Sequence, residues 1–217
     1  MVKKKKCMAY LATVLLLIVS MIMTACGGPA DTKKDAAQSG KQIEITDVTG
    51  QKVTLKKPAE RVVVQLSASG GAFLTMAALQ GKDVAKTIVG IDPYLSKLRT
   101  DMWDRYKSEV PELEKIPLIG NVNDKTFDVE KVISLNPDVI FMPLYFKDQY
   151  EADYKPKIDA AGIPTIYIDY HAEKLENHQK SIEAIGKALG KEERAAEINK
   201  FYTCLLYTSP SPRDAHE

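Results

Sequence analysis

The feature that most restricts the fold is a set of five short apolar runs beyond Pro58, at residues 62–66, 87–91, 117–119, 138–142 and 165–168. They are rich in Val and Ile and lack polar alternation, which suits strands buried on both faces. The segments between them are long enough for helices, and this order predicts an α/β fold: a mainly parallel sheet flanked by helices. Helices are predicted over 71–79, 95–106, 129–135 behind an Asp128 N-cap, 150–161, 175–189 ending at Gly190, and 192–202. Ahead of Pro58, residues 43–55 alternate apolar and polar around Thr49 and Gly50. That is a hairpin pattern in which Gly50 supplies the positive φ of the turn.

The ends of the chain read differently. Lysines at 3–6 precede an apolar stretch over 9–22, and the small residues Thr24 and Ala25 stand before Cys26. This is the layout of an export signal, and its apolar stretch is shorter than the roughly 20 residues of a spanning helix. Met23-Thr24-Ala25-Cys26 resembles the lipobox of bacterial lipoproteins, with Met23 where leucine is usual. The resemblance implies lipidation of Cys26 and an anchor in the membrane. Residues 27–41, rich in Gly, Ala, Asp, Ser and Lys, read as a flexible tether. At the other end, residues 204–214 match, residue for residue, the translation of a transposase-type sequencing adaptor. The natural sequence is therefore expected to stop near Thr203. The expected organisation is a signal peptide (1–25), a tether that includes Cys26 (26–41), an α/β lobe (42–190), the start of a further helix (191–203) and an adaptor-derived tail (204–217).

These ends distort the charge and the cysteine count. Setting aside the four lysines at 3–6, and Arg213, Asp214 and Glu217 in the tail, reduces 30 basic and 29 acidic residues to 25 and 27. A near-neutral body offers no electrostatic footprint for nucleic acid. Of the three cysteines, Cys7 lies in the signal, Cys26 at the lipidation site and Cys204 in the tail. None is left for a disulfide, a zinc site or a thiol nucleophile.

In an open α/β sheet, ligands gather beyond the carboxyl ends of the strands. After the first run comes Ser67-Ala68-Ser69-Gly70-Gly71, a small-residue loop opening a helix. Its amides and hydroxyls could hold an anionic or carbonyl group, or it could be a plain strand-to-helix turn. It fits neither nucleotide-binding glycine motif. After the second run stand Asp92, Tyr94 and Arg99, where Arg99 could pair with a carboxylate and Tyr94 could stack on a flat ligand; Trp103 reads as core. Tyr145 and Phe146 follow the fourth run and line a pocket, cover a core edge or meet a partner. Asp169, Tyr170 and His171 follow the fifth and bring carboxylate, phenol and imidazole together. They admit a second reading, an exported hydrolytic or metal-dependent enzyme, although no Gly-x-Ser-x-Gly elbow is present. His178 adds only a second histidine, weak support for a metal site.

Six segments in order, at 47–55, 58–64, 89–92, 127–140, 162–169 and 185–194, resemble the substrate-binding lipoproteins of ABC importers for iron-siderophore, haem and cobalamin-type ligands. The resemblance covers residues 43–202. It implies a two-lobed clamshell joined by one long helix, with ligand held between the lobes, no chemical step and no cofactor. This sequence would supply the first lobe and the start of that helix, with the second lobe missing. The implied partners are an ABC permease with its ATPase, a metal-chelate small molecule and the membrane through the lipid anchor. Carried over by position, the ligand side would comprise Ser67, Ser69, Gly70, Gly71, Asp92, Tyr94, Arg99, Tyr145 and Tyr170, and Glu130 would dock on the permease. Tyrosines with Arg99 suit an iron chelate that is flat, anionic and aromatic-bearing. A surface receptor or adhesin built on the same lobe is a third reading.

Overall fold

The computed structural model describes residues 42–67, 70–172 and 174–208. The expected signal peptide, Cys26, the tether, Ser69 and the end of the tail lie outside the described residues.

Four strands, β3 (Val62–Val64), β4 (Ile88–Ile91), β5 (Val139–Pro143) and β6 (Thr165–Ile168), form one parallel sheet in the order β4-β3-β5-β6. Successive side chains of a strand face opposite sides, and the core divides accordingly. Val62, Val64, Phe141, Ile166 and Ile168 pack in one cluster, while Val63, Ile140, Met142 and Tyr167 pack in another. The first face is covered by α1 (Gly71–Gln80), α4 (Thr100–Glu109) and α8 (Leu175–Ala188) through Phe73, Trp103 and Ile185. On the second face lie α5 (Val129–Ser134), α6 (Lys147–Asp153) and α7 (Lys155–Ala160), through Val132, Tyr150 and Ile158. Two covered faces are what the unbroken apolar runs require. The chain thus has an α/β fold.

The hairpin forms as expected from β1 (Ile43–Thr46) and β2 (Lys52–Leu55), and Gly50 has φ 86°. Its anchor is Asp47. One carboxylate oxygen accepts from the Thr49 and Gln51 amides at 2.8 and 3.1 Å and from the Thr49 hydroxyl at 2.6 Å. The other accepts from the Tyr167 amide at 3.2 Å, and the Val48 amide donates to the Tyr167 carbonyl at 3.4 Å. The hairpin turn thereby satisfies backbone groups of β6, the edge strand of the sheet.

Three predicted elements differ. Residues 117–119 form a single parallel bridge, Ile91 to Leu118, instead of a strand. Pro117 has no amide to give, and Ile119 passes its carbonyl to the Asp128 amide, which leaves little ladder to build. The helix expected over 95–106 is divided at Arg99 (φ −133°, ψ 56°) into α3 (Tyr94–Leu98) and α4. The one expected over 150–161 starts earlier and is divided at Tyr154 into α6 and α7, where Pro156 lacks the amide that would continue the ladder. A one-turn helix, α2 (Val84–Thr87), leads into β4. After α8 the chain turns at Gly190 and runs into α9 (Glu192–Thr208), which extends past Thr203 into the residues read as adaptor.

Candidate functional site

The carboxyl ends of β3, β5 and β6 surround a shallow depression. Of the residues expected there, Ser67, Gly71, Tyr145 and Tyr170 line it together, and Leu144 and His171 complete its rim. Gly71 lies directly against the Tyr170 ring, and a Cβ on it would stand 2.3 Å from Tyr170 Cδ2. Gly70 is buried and serves the turn, with φ 69° and its carbonyl accepting from the Leu74 amide at 3.1 Å. Tyr145 comes from a short 3₁₀ turn after β5 and is 61% exposed. Its ring lies 4.8 Å from that of His171 and 5.5 Å from that of Phe146. Tyr170 directs its hydroxyl inward to Thr75 Oγ1 at 2.7 Å, and burial pushes that phenol above its ordinary range.

Asp92, Tyr94 and Arg99 do not line this depression. Asp92 is 1% exposed and belongs to a polar network beneath the strand ends. Its carboxylate accepts from the Tyr94 amide at 2.6 Å and from Asn121 Nδ2, which also donates to the Leu66 carbonyl at 3.2 Å. Burial raises the Asp92 pKa to about 7 against the lowering effect of the Tyr94, Asn121 and Leu66 donors. Beside it, Gln65 is fully buried, gives Nε2 to the Gly120 carbonyl at 2.8 Å and takes the Val122 amide at 3.1 Å. A buried amide and carboxylate with satisfied partners fix the loops they hold. Asp92 therefore shapes the floor and presents no surface to a ligand. Tyr94 donates its hydroxyl to Asp124 at 2.7 Å, and Arg99 sits at the junction of α3 and α4, 4.0 Å from Asp101.

The Asp169, Tyr170 and His171 cluster does not assemble as acid–base machinery. One Asp169 oxygen accepts from the His171 and Ala172 amides at 3.0 and 3.1 Å, the other from Asn177 Nδ2 at 2.7 Å. Burial alone would raise Asp169, but these bonds outweigh it and hold the carboxylate below its ordinary range. With Tyr170 on Thr75 and His171 against Tyr145, the three side chains serve three separate partners. The enzymatic reading loses its catalytic group. His178 is likewise committed, with Nδ1 2.8 Å from the Tyr202 hydroxyl of α9 and Nε2 2.9 Å from the Ala172 carbonyl. Among the described residues no three potential metal-ligating side chains come together.

Sequence reasoning missed Gln65, Thr75 and Asn121. Gln65 was detectable as a polar residue at the end of an apolar run, and Asn121 by the turn-forming Gly120-Asn121-Val122-Asn123-Asp124. Thr75 carries no such sign. Glu130, set apart from the depression, lies in the first turn of α5 behind the Asp128 cap, with its side chain 81% exposed and 3.8 Å from Lys157. Such a surface pair leaves the carboxylate available to other partners.

Comparison with known proteins bears on this arrangement. Residues 51–203 match the periplasmic binding protein family. The chain is 30% identical over 188 residues to the ABC transporter substrate-binding lipoprotein YvrC of Bacillus subtilis (strain 168), covering 85% of this chain and 52% of that protein. It superposes on the TroA-like periplasmic binding protein FepB from Veillonella parvula with a TM-score of 0.74 and 63% identity, covering 78% of this chain and 51% of that one. A periplasmic solute binding protein from Veillonella parvula DSM 2008 gives a TM-score of 0.62 at 26% identity, covering 77% and 46%. The chain thus spans about half the length of the relatives it matches. It belongs to the periplasmic binding protein family, whose members are non-catalytic carriers that work outside the cytoplasm.

Proposed function

We propose that this chain is the first lobe, with the start of the inter-lobe helix, of an extracytoplasmic substrate-binding lipoprotein that serves an ABC importer. In this reading Cys26 carries the lipid anchor and residues 27–41 form the leash. The ligand is an iron-siderophore, haem or cobalamin-like metal complex, passed to a permease driven by its ATPase. The observation that carries the reading is the convergence of Ser67, Gly71, Tyr145 and Tyr170 at the carboxyl ends of a parallel sheet. Within a family of carriers, a depression open on one side is half of a ligand site, and burial of a small molecule needs a second wall. In this reading Asp92, buried beyond β4, is scaffold, and Tyr94 and Arg99 stand outside the depression.

The experiment begins with sequencing of the locus beyond the codon for Thr203, with adaptor sequence removed. The protein of the full reading frame is then titrated with ferric siderophores, haemin and cobalamin and followed by tryptophan fluorescence. Saturable binding of one of these complexes is expected. A frame that ends at or near Thr203, or a complete protein that binds none of them, would overturn the proposal.

A further inference from the structure

We infer that Tyr145 and His171 form a two-ring wall that selects ligands presenting a flat, unsaturated and uncharged face to this lobe, with the ligand's charge met elsewhere. The inference rests on the transport reading above and adds the chemistry of one wall.

Tyr145 is 61% exposed although an aromatic ring in water costs free energy. It is nevertheless held in place. Pro143 and the 3₁₀ turn fix its backbone, Phe146 meets its ring edge-on at 65°, and His171 meets it at 47°. His171 is pinned in turn, because its amide is bound to the buried Asp169 carboxylate. Two rings presented from two different strand ends, each with its backbone fixed, make a preorganised surface that loses little side-chain entropy when a planar group stacks on it.

The rest of the described lining offers these rings no charged partner. Among the described residues no lysine or arginine lines the depression, and the one acid there, Asp169, is buried with both oxygens taken. A carboxylate or phosphate seated against the two rings, away from the loop over 67–71, would be desolvated with no cationic side chain of the described lining to meet it, a costly arrangement. Arg99, the cation expected here from sequence, stands at the junction of α3 and α4, away from the lining. Leu144 adds partly exposed apolar surface beside the rings, above the buried Ala72, Pro143 and Ile168. What the Tyr145 and His171 side chains then offer a ligand is ring stacking, beside the Ser67 edge of the depression.

The test uses the protein of the full reading frame and three probes: haemin, the iron(III) tris complex of 2,3-dihydroxybenzoate, and iron(III) citrate, which is polyanionic and has no aromatic face. Affinities are measured by fluorescence titration for the unaltered protein and for Tyr145→Ala, Tyr145→Phe, His171→Ala and His171→Phe, with thermal midpoints alongside. The expected result is binding of at least one aromatic probe but not of citrate. Tyr145→Ala and His171→Ala should each weaken it roughly 3- to 10-fold, the two phenylalanine variants should stay within about 2-fold because the ring is kept, and thermal midpoints should not move. Aromatic-probe binding that ignores both alanine variants, or citrate binding as tight as that of the aromatic probes, overturns the inference and leaves the transport reading standing. Failure of all three probes, and of cobalamin, removes both.

Discussion

Gly71 has no room for a methyl group, since a Cβ would lie 2.3 Å from Tyr170 Cδ2 and 2.4 Å from Cγ. Tyr170 cannot yield easily because its hydroxyl is held by Thr75. Gly71→Ala should therefore cost about 1–3 kcal/mol of stability through overpacking, read as a lowered midpoint in denaturant unfolding, and should also weaken ligand binding. Asp92 makes a prediction of a different kind. Its folded pKa is raised to about 7 by burial, whereas an unfolded aspartate titrates near ~4. Between those values the folded chain keeps a proton that the unfolded chain has released. The group's contribution to stability is therefore whole below about pH 4 and is lost as pH rises toward about 7. In Asp92→Asn that loss should be absent, so the difference in thermal midpoint between variant and parent should shift in the variant's favour from pH 4 to pH 7. A difference that is flat across the range would rule this out. At this scale the sequence was a partial guide. Strand-end position placed Tyr145 and Tyr170 together, and both line the depression, but residue type alone could not tell that Asp92 and Asp169 would be spent on neighbouring amides.

Apolar runs located four of the strands because a strand covered on both faces has to be apolar throughout, and the hairpin announced itself through Thr49 and Gly50. Of the two helix breaks, the one at Tyr154 carried a sign in Pro156, whereas the one at Arg99 carried none: local pattern continues through it, and the helix that follows packs Trp103 edge-on against Phe73 at 6.0 Å. Nor did alternation reveal how the hairpin is fastened. The Asp47 carboxylate is buried and accepts from Thr49, Gln51 and Tyr167. Asp47→Ala should strand those donors and cost about 2–4 kcal/mol. It should also raise amide exchange at Tyr167 and through β1 and β2, while β3 and β4 keep their protection. A uniform loss of protection would show instead that hairpin and sheet unfold as one unit.

For the molecule as a whole, sequence patterning predicted the layer architecture, and the ordered segments pointed to the family that the comparisons show. The ligand was less legible, because this chain spans about half the length of its relatives and carries one wall of the proposed cleft. Glu130 is expected to act at this scale. Its carboxylate stands exposed on α5, remote from the depression. In the complete protein Glu130→Ala should lower uptake several-fold while leaving ligand affinity intact, and unchanged uptake would count against a docking role. The bond series from Tyr202 through His178 to the Ala172 carbonyl has a mechanical consequence. It couples α9 to the residue that follows His171 in the chain, like a pushrod between a crank and a valve. A tilt of α9 then has to be transmitted to the ring wall or absorbed by breaking one of two hydrogen bonds. Tyr202→Phe removes the first of them, and faster amide exchange at His171 and Ala172 would register the slack.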